Sequence, residues 1–493
     1  MKRFTAIALT LAVAIVTSAH IGSPNVLFDG TAGAYPVRVI VRPPEVVPGL
    51  AEVIVRVDAA DAQRIVIRPV FWRTGVAGAP AGDEMRRVAG QDRVYTGQLW
   101  LMAYGAYSVY VTVSGARGSG TAIVPVSSFA TGRLPLSGSL GGILVVLGGL
   151  LVAGLLTIVR AAAGESLVPP GEAFDASKRR RANSVAAMSA AVLALAIFGG
   201  AKWWRAEDAG YRRNMYGSPA AIPTVNVDAT HRTLHLAVHD TAKFQALYSP
   251  VAPDHGKMMH LFLVRLPNMD AFAHLHPVQS DSLIFDGEVP ALPAGRYRLF
   301  GDLALENGLS LTVTNTFELP DEAGAVAPSD SDDAWTLTPS VTRAAAGAET
   351  ALGDGFTLAW NGDAGPLVAG RATDLRFVVR DAKGEVARLR PYLGMAAHAV
   401  VVRGDGSVFI HLHPMGTVAM VSQQVFALRD RGDTTPRGRI RQDALAADPM
   451  PAMSMSGALA FPYEFPKPGR YRVWVQVKPD RRVLTGTFDV DVH

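Results

Sequence analysis

The chain has 493 residues, enough for three or four domains, and its 49% hydrophobic and 18% charged content points to membrane spans. A net charge of only +4, with no basic stripe interleaved with aromatics, argues against nucleic acid as a partner. The absence of cysteine excludes disulfides, thiolate zinc sites, iron–sulfur clusters, a cysteine nucleophile and a blue-copper centre, so any transition metal must be held by His, Met, Asp, Glu or backbone groups.

The basic start Met1-Lys2-Arg3, an apolar run to Val16 and the small residues Thr17-Ser18-Ala19 form the three-part pattern of a secretory signal peptide over 1–19. Cleavage after Ala19 would make His20 the mature N-terminus, where amine and imidazole could chelate copper together. Residues 20–133 alternate in the strand period, most clearly at 35–41, 51–57 and 107–113, with Pro and Gly between them. They predict an N-terminal extracytoplasmic β-sandwich.

Two apolar segments follow within 136–204. Residues 138–159 carry no charge and 184–204 only Lys202, and each is long enough for the ~30 Å hydrocarbon core. Trp203 and Trp204 suit an interfacial aromatic belt. The short connection between them, with Arg160 and the run Lys178-Arg179-Arg180-Arg181, is placed in the cytoplasm. Two spans after an exported domain return the rest of the chain to the outer side. The expected location is the inner (cytoplasmic) membrane, with both terminal regions periplasmic.

Residues 216–320 and 335–493 read as two further extracytoplasmic β domains, joined by an acidic, small-residue linker at 321–334. No strong helical periodicity is evident outside the two spans. The expected fold is mainly β: Ig-like or cupredoxin-like sandwiches joined to a two-helix transmembrane hairpin.

The last two domains share a histidine pattern. Met259-His260 and a strand to Arg265 precede His274-Leu-His276-Pro277; Ala397-His398 and a strand to Arg403 precede His411-Leu-His413-Pro414. Each copy later carries Gly-Arg-Tyr-Arg, at Gly295 and Gly469, with roughly 37 extra residues inside the second copy. A two-residue turn at Asp405-Gly406 sets Val400 opposite His411 and His398 opposite His413. A three-residue loop, Pro267 to Met269, sets His260 opposite His276 in the first copy. Facing residues and residues two apart share a sheet face, so three imidazoles converge within about 5–7 Å in each copy. Such a triangle suits copper, or alternatively zinc. The plain alternative is a set of core or surface histidines.

Asp302 could add a fourth ligand to the first triad, where the second copy has Gln476 in the comparable place. Secondary metal candidates are His255, beside Asp254 in a turn, and Met450, Met453 and Met455 in a Pro/Ser/Gly loop, because thioether sulfur suits Cu(I). His231, His235 and His239 stand about 13 Å apart at successive intervals on a strand and read as structural.

The stretch from Pro391 to His398 and on through His411-Leu-His413-Pro414 resembles a module recurring in exported bacterial proteins of copper and heavy-metal handling. Residues 20–133 are loosely similar to the small periplasmic copper-resistance sandwiches. The resemblance implies metal handling through His398, His411 and His413, and through the repeat at His260, His274 and His276. The leading expectation is a membrane-anchored periplasmic metal-binding protein, acting in handling, delivery or sensing of copper with a periplasmic metal-handling partner. A three-His zinc enzyme and a structural or interaction protein are the alternatives; binding is favoured over catalysis because no well-placed acid–base group accompanies the triads beyond Asp302.

Overall fold

The computed structural model describes residues 25–493, except 166–167, 170, 173–174, 228–231, 240–248, 322–329, 363–364, 436–438, 442–444 and 446–454. The signal-peptide reading, His20, His231, Met450 and Met453 lie outside the described residues. The fold is mainly β, with three helices of eight or more residues among those described. Two compact units form: residues 1–129 with 217–493, and 130–216.

The smaller unit is a helical pair, Gly138–Glu165 and Ala176–Asn214. Both helices are long and apolar enough to cross a membrane, and their apolar side chains are largely exposed. The second begins earlier than the hydropathy suggests. Asp175 accepts the Lys178 backbone N–H as N-cap, so the run Lys178 to Arg181 stands in the first helical turns and not in a loop.

The larger unit holds all three β regions. In the N-terminal sandwich, a five-stranded sheet built on Tyr35–Arg42 and Gly49–Val57 packs on a four-stranded sheet built on Ala62–Phe71 and Gly105–Gly115. Alternation decides the packing: Val37, Val39 and Val41 meet Val109, Val111 and Val113 in one core.

The middle domain pairs His260–Arg265 with Ala271–Leu275 on one side and with Gly295–Leu305 on the other. The last domain repeats this arrangement with Ala397–Arg403 between Phe409–Leu412 and Gly469–Val477. These strands are buried on both faces, which is why they read as almost continuous apolar runs. One face covers its own domain's core. The other faces the neighbouring domain, where Phe262, Phe272 and Phe300 pack with Val400, Phe409 and Trp474. Phe272 stacks on Trp474 at 4.6 Å and Phe300 on Phe409 at 4.2 Å.

Two expectations change. Strand Ala334–Leu337 pairs with Ala271–Leu275, so the end of the expected linker and the start of the expected last domain complete the middle domain's sheet. A helix, Met420–Arg431, forms inside the second copy's insertion and buries Val421, Val425, Phe426 and Leu428. Its N-cap residue is Ala419, which cannot cap; Asp254 accepts the Val421 N–H at 3.0 Å from a distant part of the chain. The helix start therefore has no local signal.

Candidate metal centre

Both hairpins have the register the sequence implies. Val400 pairs with His411, and Phe262 pairs with His274, so the same registers carried outward set His398 against His413 and His260 against His276. The second turn is wider than the expected two-residue form: Gly406 N–H donates to Arg403 C=O, and Arg403 N–H donates to Val408 C=O. The register survives because Arg403 and Val408 lie on the same pairing line.

The triads are nearly superimposable. Ring centroids of His260, His274 and His276 are separated by 5.4, 5.2 and 4.6 Å; those of His398, His411 and His413 by 5.1, 5.0 and 4.6 Å. Within each triad, one ring nitrogen from every histidine lies within 4.8 Å of the others, and all six residues are buried. The triads also face each other, with His260 and His411 centroids 5.2 Å apart and His274 and His411 5.5 Å apart.

Outer hydrogen bonds decide which nitrogen is free. The Asp254 carbonyl can only accept, so His260 carries its proton on Nε2 (3.3 Å) and leaves Nδ1 bare. His274 Nδ1 donates to Gln476 Oε1 at 2.8 Å, and His276 Nδ1 donates to Asp333 Oδ1 at 2.8 Å. Three lone pairs therefore converge: His260 Nδ1, His274 Nε2 and His276 Nε2. The first two stand 3.1 Å apart, and the third has no partner although buried. The second triad repeats much of this. His398 Nε2 donates to Tyr392 C=O (3.1 Å) and His413 Nδ1 to Val418 C=O (3.0 Å), leaving His398 Nδ1 and the partnerless His413 Nε2 to face His411. An outer bond that fixes the tautomer and aims the other nitrogen inward is the usual support of a metal-binding imidazole.

Burial and the neighbouring imidazoles hold His260, His274, His398 and His411 well below the ordinary imidazole range, and His413 at about 4. These five rings are therefore neutral near neutral pH.

Asp302 pairs across from His260, but its carboxylate accepts from Thr312 and lies 3.7 Å from His411 Nδ1. It thus stands outside the first triad and behind the second. Gln476, opposite His398, reciprocates by holding His274. Burial pushes the Asp302 carboxyl up to about 7. His255 stands between the triads, its ring 6.1 Å from His260, 5.5 Å from His398 and 5.2 Å from His413. Met455 pairs with Leu389 and packs against the last domain's hydrophobic core. His235 bonds Asp286 at 2.7 Å, away from both triads.

Tyr392, Asp254 and Asp333 are the contributors that sequence reasoning passed over. A signal existed for two of them. Pro253-Asp-His-Gly-Lys-Met-Met-His260 and Pro391-Tyr-Leu-Gly-Met-Ala-Ala-His398 share a Pro-x-x-Gly-x-x-x-His pattern, so the repeat begins earlier than the histidines. His255 and Leu393 occupy equivalent left-handed positions (φ 52° and 51°). The N-terminal sandwich supports the second triad: Asp29 N–H donates to Met415 C=O and Thr417 N–H to Leu27 C=O, clamping the turn after His413. Gly416, at φ 115°, has no room for a side chain, since a Cβ would meet Leu27 O at 2.0 Å.

Residues 349–493 match the family described as Domain of unknown function (DUF8832). That segment contains the second triad and leaves out the first. No curated protein matches the chain. Among solved structures, an engineered protein is 18% identical over 18% of this chain and 19% of its own (TM-score 0.15). E. coli alpha-2-macroglobulin in its native conformation is 10% identical over 95% of this chain and 23% of its own (TM-score 0.21). An ICAM-5 D1–D4 ectodomain fragment is 10% identical over 91% and 73%, with a TM-score of 0.14. The chain thus spans about a fifth of the length of the first two.

Proposed function

We propose that this is a membrane-anchored metal-binding protein whose cargo is copper, held by the paired triads and used in metal handling, delivery or sensing. The observation that carries the reading is the convergence of buried imidazole lone pairs, each aimed by an outer hydrogen bond on its opposite nitrogen. A buried polar atom without a partner costs about 1–3 kcal/mol, a cost that a bound ion removes. Imidazole nitrogen suits copper and zinc alike, and three neutral ligands without a carboxylate favour the lower-charge cuprous ion.

The two apolar helices serve as the anchor, crossing the inner membrane as a hairpin. With the N-terminal region exported, both histidine domains lie on the periplasmic side, where a metal-handling partner would exchange ions with them. The β domains are read as Ig-like or cupredoxin-like sandwiches. A zinc enzyme is the second reading, favoured by one observation: Asp302, held at about 7 beside His411, could serve as an acid–base group.

Metal analysis of the detergent-solubilised full chain tests the proposal. Copper at two equivalents, falling to one in His274→Ala and in His411→Ala, is the expected result. Zinc with hydrolytic activity would favour the second reading, and no bound metal in any preparation would refute both.

A further inference from the structure

Besides the triads, a third group of donors comes together where Asp254 and His255 approach His413, all within 4.8 Å through one ligand atom each. His413 belongs to this group and to the second triad at once. The His255 imidazole is turned inward, with only 5% of its side chain exposed, and its Nε2 is buried without a hydrogen-bond partner. Nothing in the fold requires that nitrogen to be there: His255 occupies the turn position that Leu393 fills in the other copy, at the same left-handed φ.

The other side of this turn is the wall of a cleft of about 1450 Å³, lined on its far sides by Thr121 and Ile123 of the N-terminal sandwich and by Gln423 of the helix Met420–Arg431. Asp254 and His255 line the cleft, whereas the histidines of both triads are absent from its lining. Among the residues of the cleft wall, these two are the ones grouped with a triad ligand.

We infer that Asp254, His255 and His413 form a transfer site that takes a copper ion from the cleft and hands it to the second triad. The inference rests on the metal-binding reading above. A carboxylate and an imidazole at the wall capture the incoming cation. His413 Nε2, shared between the two groups, then lets the ion exchange ligands one at a time, with no intermediate stage at which it lacks donors. No bond other than metal–ligand bonds is made or broken, and the ion keeps its oxidation state. His255 is in this sense a ligand of passage, distinct from the resident triads.

The test is anaerobic stopped-flow loading of the metal-free full chain in detergent, with Cu(I) supplied from a chromogenic chelator, followed by equilibrium stoichiometry. His255→Ala should load at least tenfold more slowly than wild type and still reach two equivalents. Asp254→Asn, which keeps the acceptor for Val421 N–H, should also slow loading. Unchanged melting of the metal-free variants shows that both are folded. Loading at the wild-type rate in His255→Ala overturns the inference, and so does a final stoichiometry of one, which would make His255 a resident ligand. A wild-type chain that takes up no Cu(I) refutes the metal-binding reading itself and is thereby distinguishable.

Discussion

The tautomer argument can be tested one bond away from the metal. Asp333 Oδ1 accepts both the His276 backbone N–H (2.9 Å) and Nδ1–H (2.8 Å), and this pair of bonds leaves Nε2 bare. Asp333→Ala removes the acceptor and frees His276 to move its proton to Nε2, where it cannot ligate. Loss of such an outer partner weakens metal binding by about 10–100-fold, or ~1.4–2.7 kcal/mol. The metal-free protein also loses about 1–3 kcal/mol from the unpaired buried backbone N–H. The second triad should be untouched, because His413 is oriented by a main-chain carbonyl. Isothermal titration of the variant with Cu(I) under chelator competition should therefore show one ion bound as in wild type and one weakened. Asp333→Asn, which keeps a carbonyl acceptor, should recover part of the loss. Two unaltered sites would refute the claim that the outer bonds select the ligating nitrogen.

Acid should unfold the metal-free protein early. Burial keeps the folded imidazoles of His260, His274, His398, His411 and His413 below their ordinary 6.5, so below that pH the unfolded chain binds protons the folded one excludes. Stability is full above about 6.5 and falls with pH; His413 alone, held at about 4, contributes a loss of ~3 kcal/mol by pH 4, measurable by urea denaturation across this range. Trp474→Ala, deleting the ring that stacks on Phe272, should cost about 3–5 kcal/mol and weaken binding at both triads, as seen by calorimetry and metal titration. Arg472 joins Asp489 to the carbonyls of Asn268 and Met269 in the first hairpin. Arg472→Ala leaves the buried Asp489 carboxylate with the largely exposed Arg470 as its remaining ion-pair partner and should lower stability by up to about 3–5 kcal/mol, whereas the loss of both buried charges in Arg472→Met with Asp489→Leu should cost much less.

How much of this was legible depends on how local each cause is. The hairpin registers followed from turn position and side-chain alternation, both contained in some sixteen residues, and the structure has them. The N-terminal strands followed from the same alternation. The facing of the two triads was not legible, because it depends on Phe262, Phe272 and Phe300 meeting Phe409 and Trp474 across a domain boundary, and an apolar strand face looks the same whichever partner covers it. The helix after Val418 was hidden because its cap comes from Asp254. The acidic linker looked like a spacer by composition, yet Asp333 orients His276, Asp330 pairs with Lys257, and Asp332 pairs with Lys478. Charge density alone does not distinguish a solvated connector from one whose carboxylates at Asp330, Asp332 and Asp333 are engaged.

The duplicated hairpins are alike in backbone and unequal in chemistry, and the inequality lies in the reciprocal pair Gln476 and Asp302. Gln476 accepts from His274 Nδ1, which forces the His274 lone pair against that of His260 at 3.1 Å. Asp302 is 3.7 Å from His411 Nδ1, too far for a hydrogen bond, so His411 is free to place its proton on Nε2 and donate it to His398 Nδ1 at 3.0 Å. The empty second triad can thus satisfy two of its inward nitrogens, while the empty first triad satisfies none. An ion gains more where the unliganded state is worse, so the first triad should fill first at equilibrium. With about 1 kcal/mol for the hydrogen bond that the second triad surrenders, the difference is at least several-fold in affinity. The measurement is Cu(I) competition in single-site variants: His413→Ala, which keeps the first triad, should bind its ion more tightly than His276→Ala, which keeps the second. The reverse order would show that the outer bond from Gln476 does not set the affinity of the site it supports.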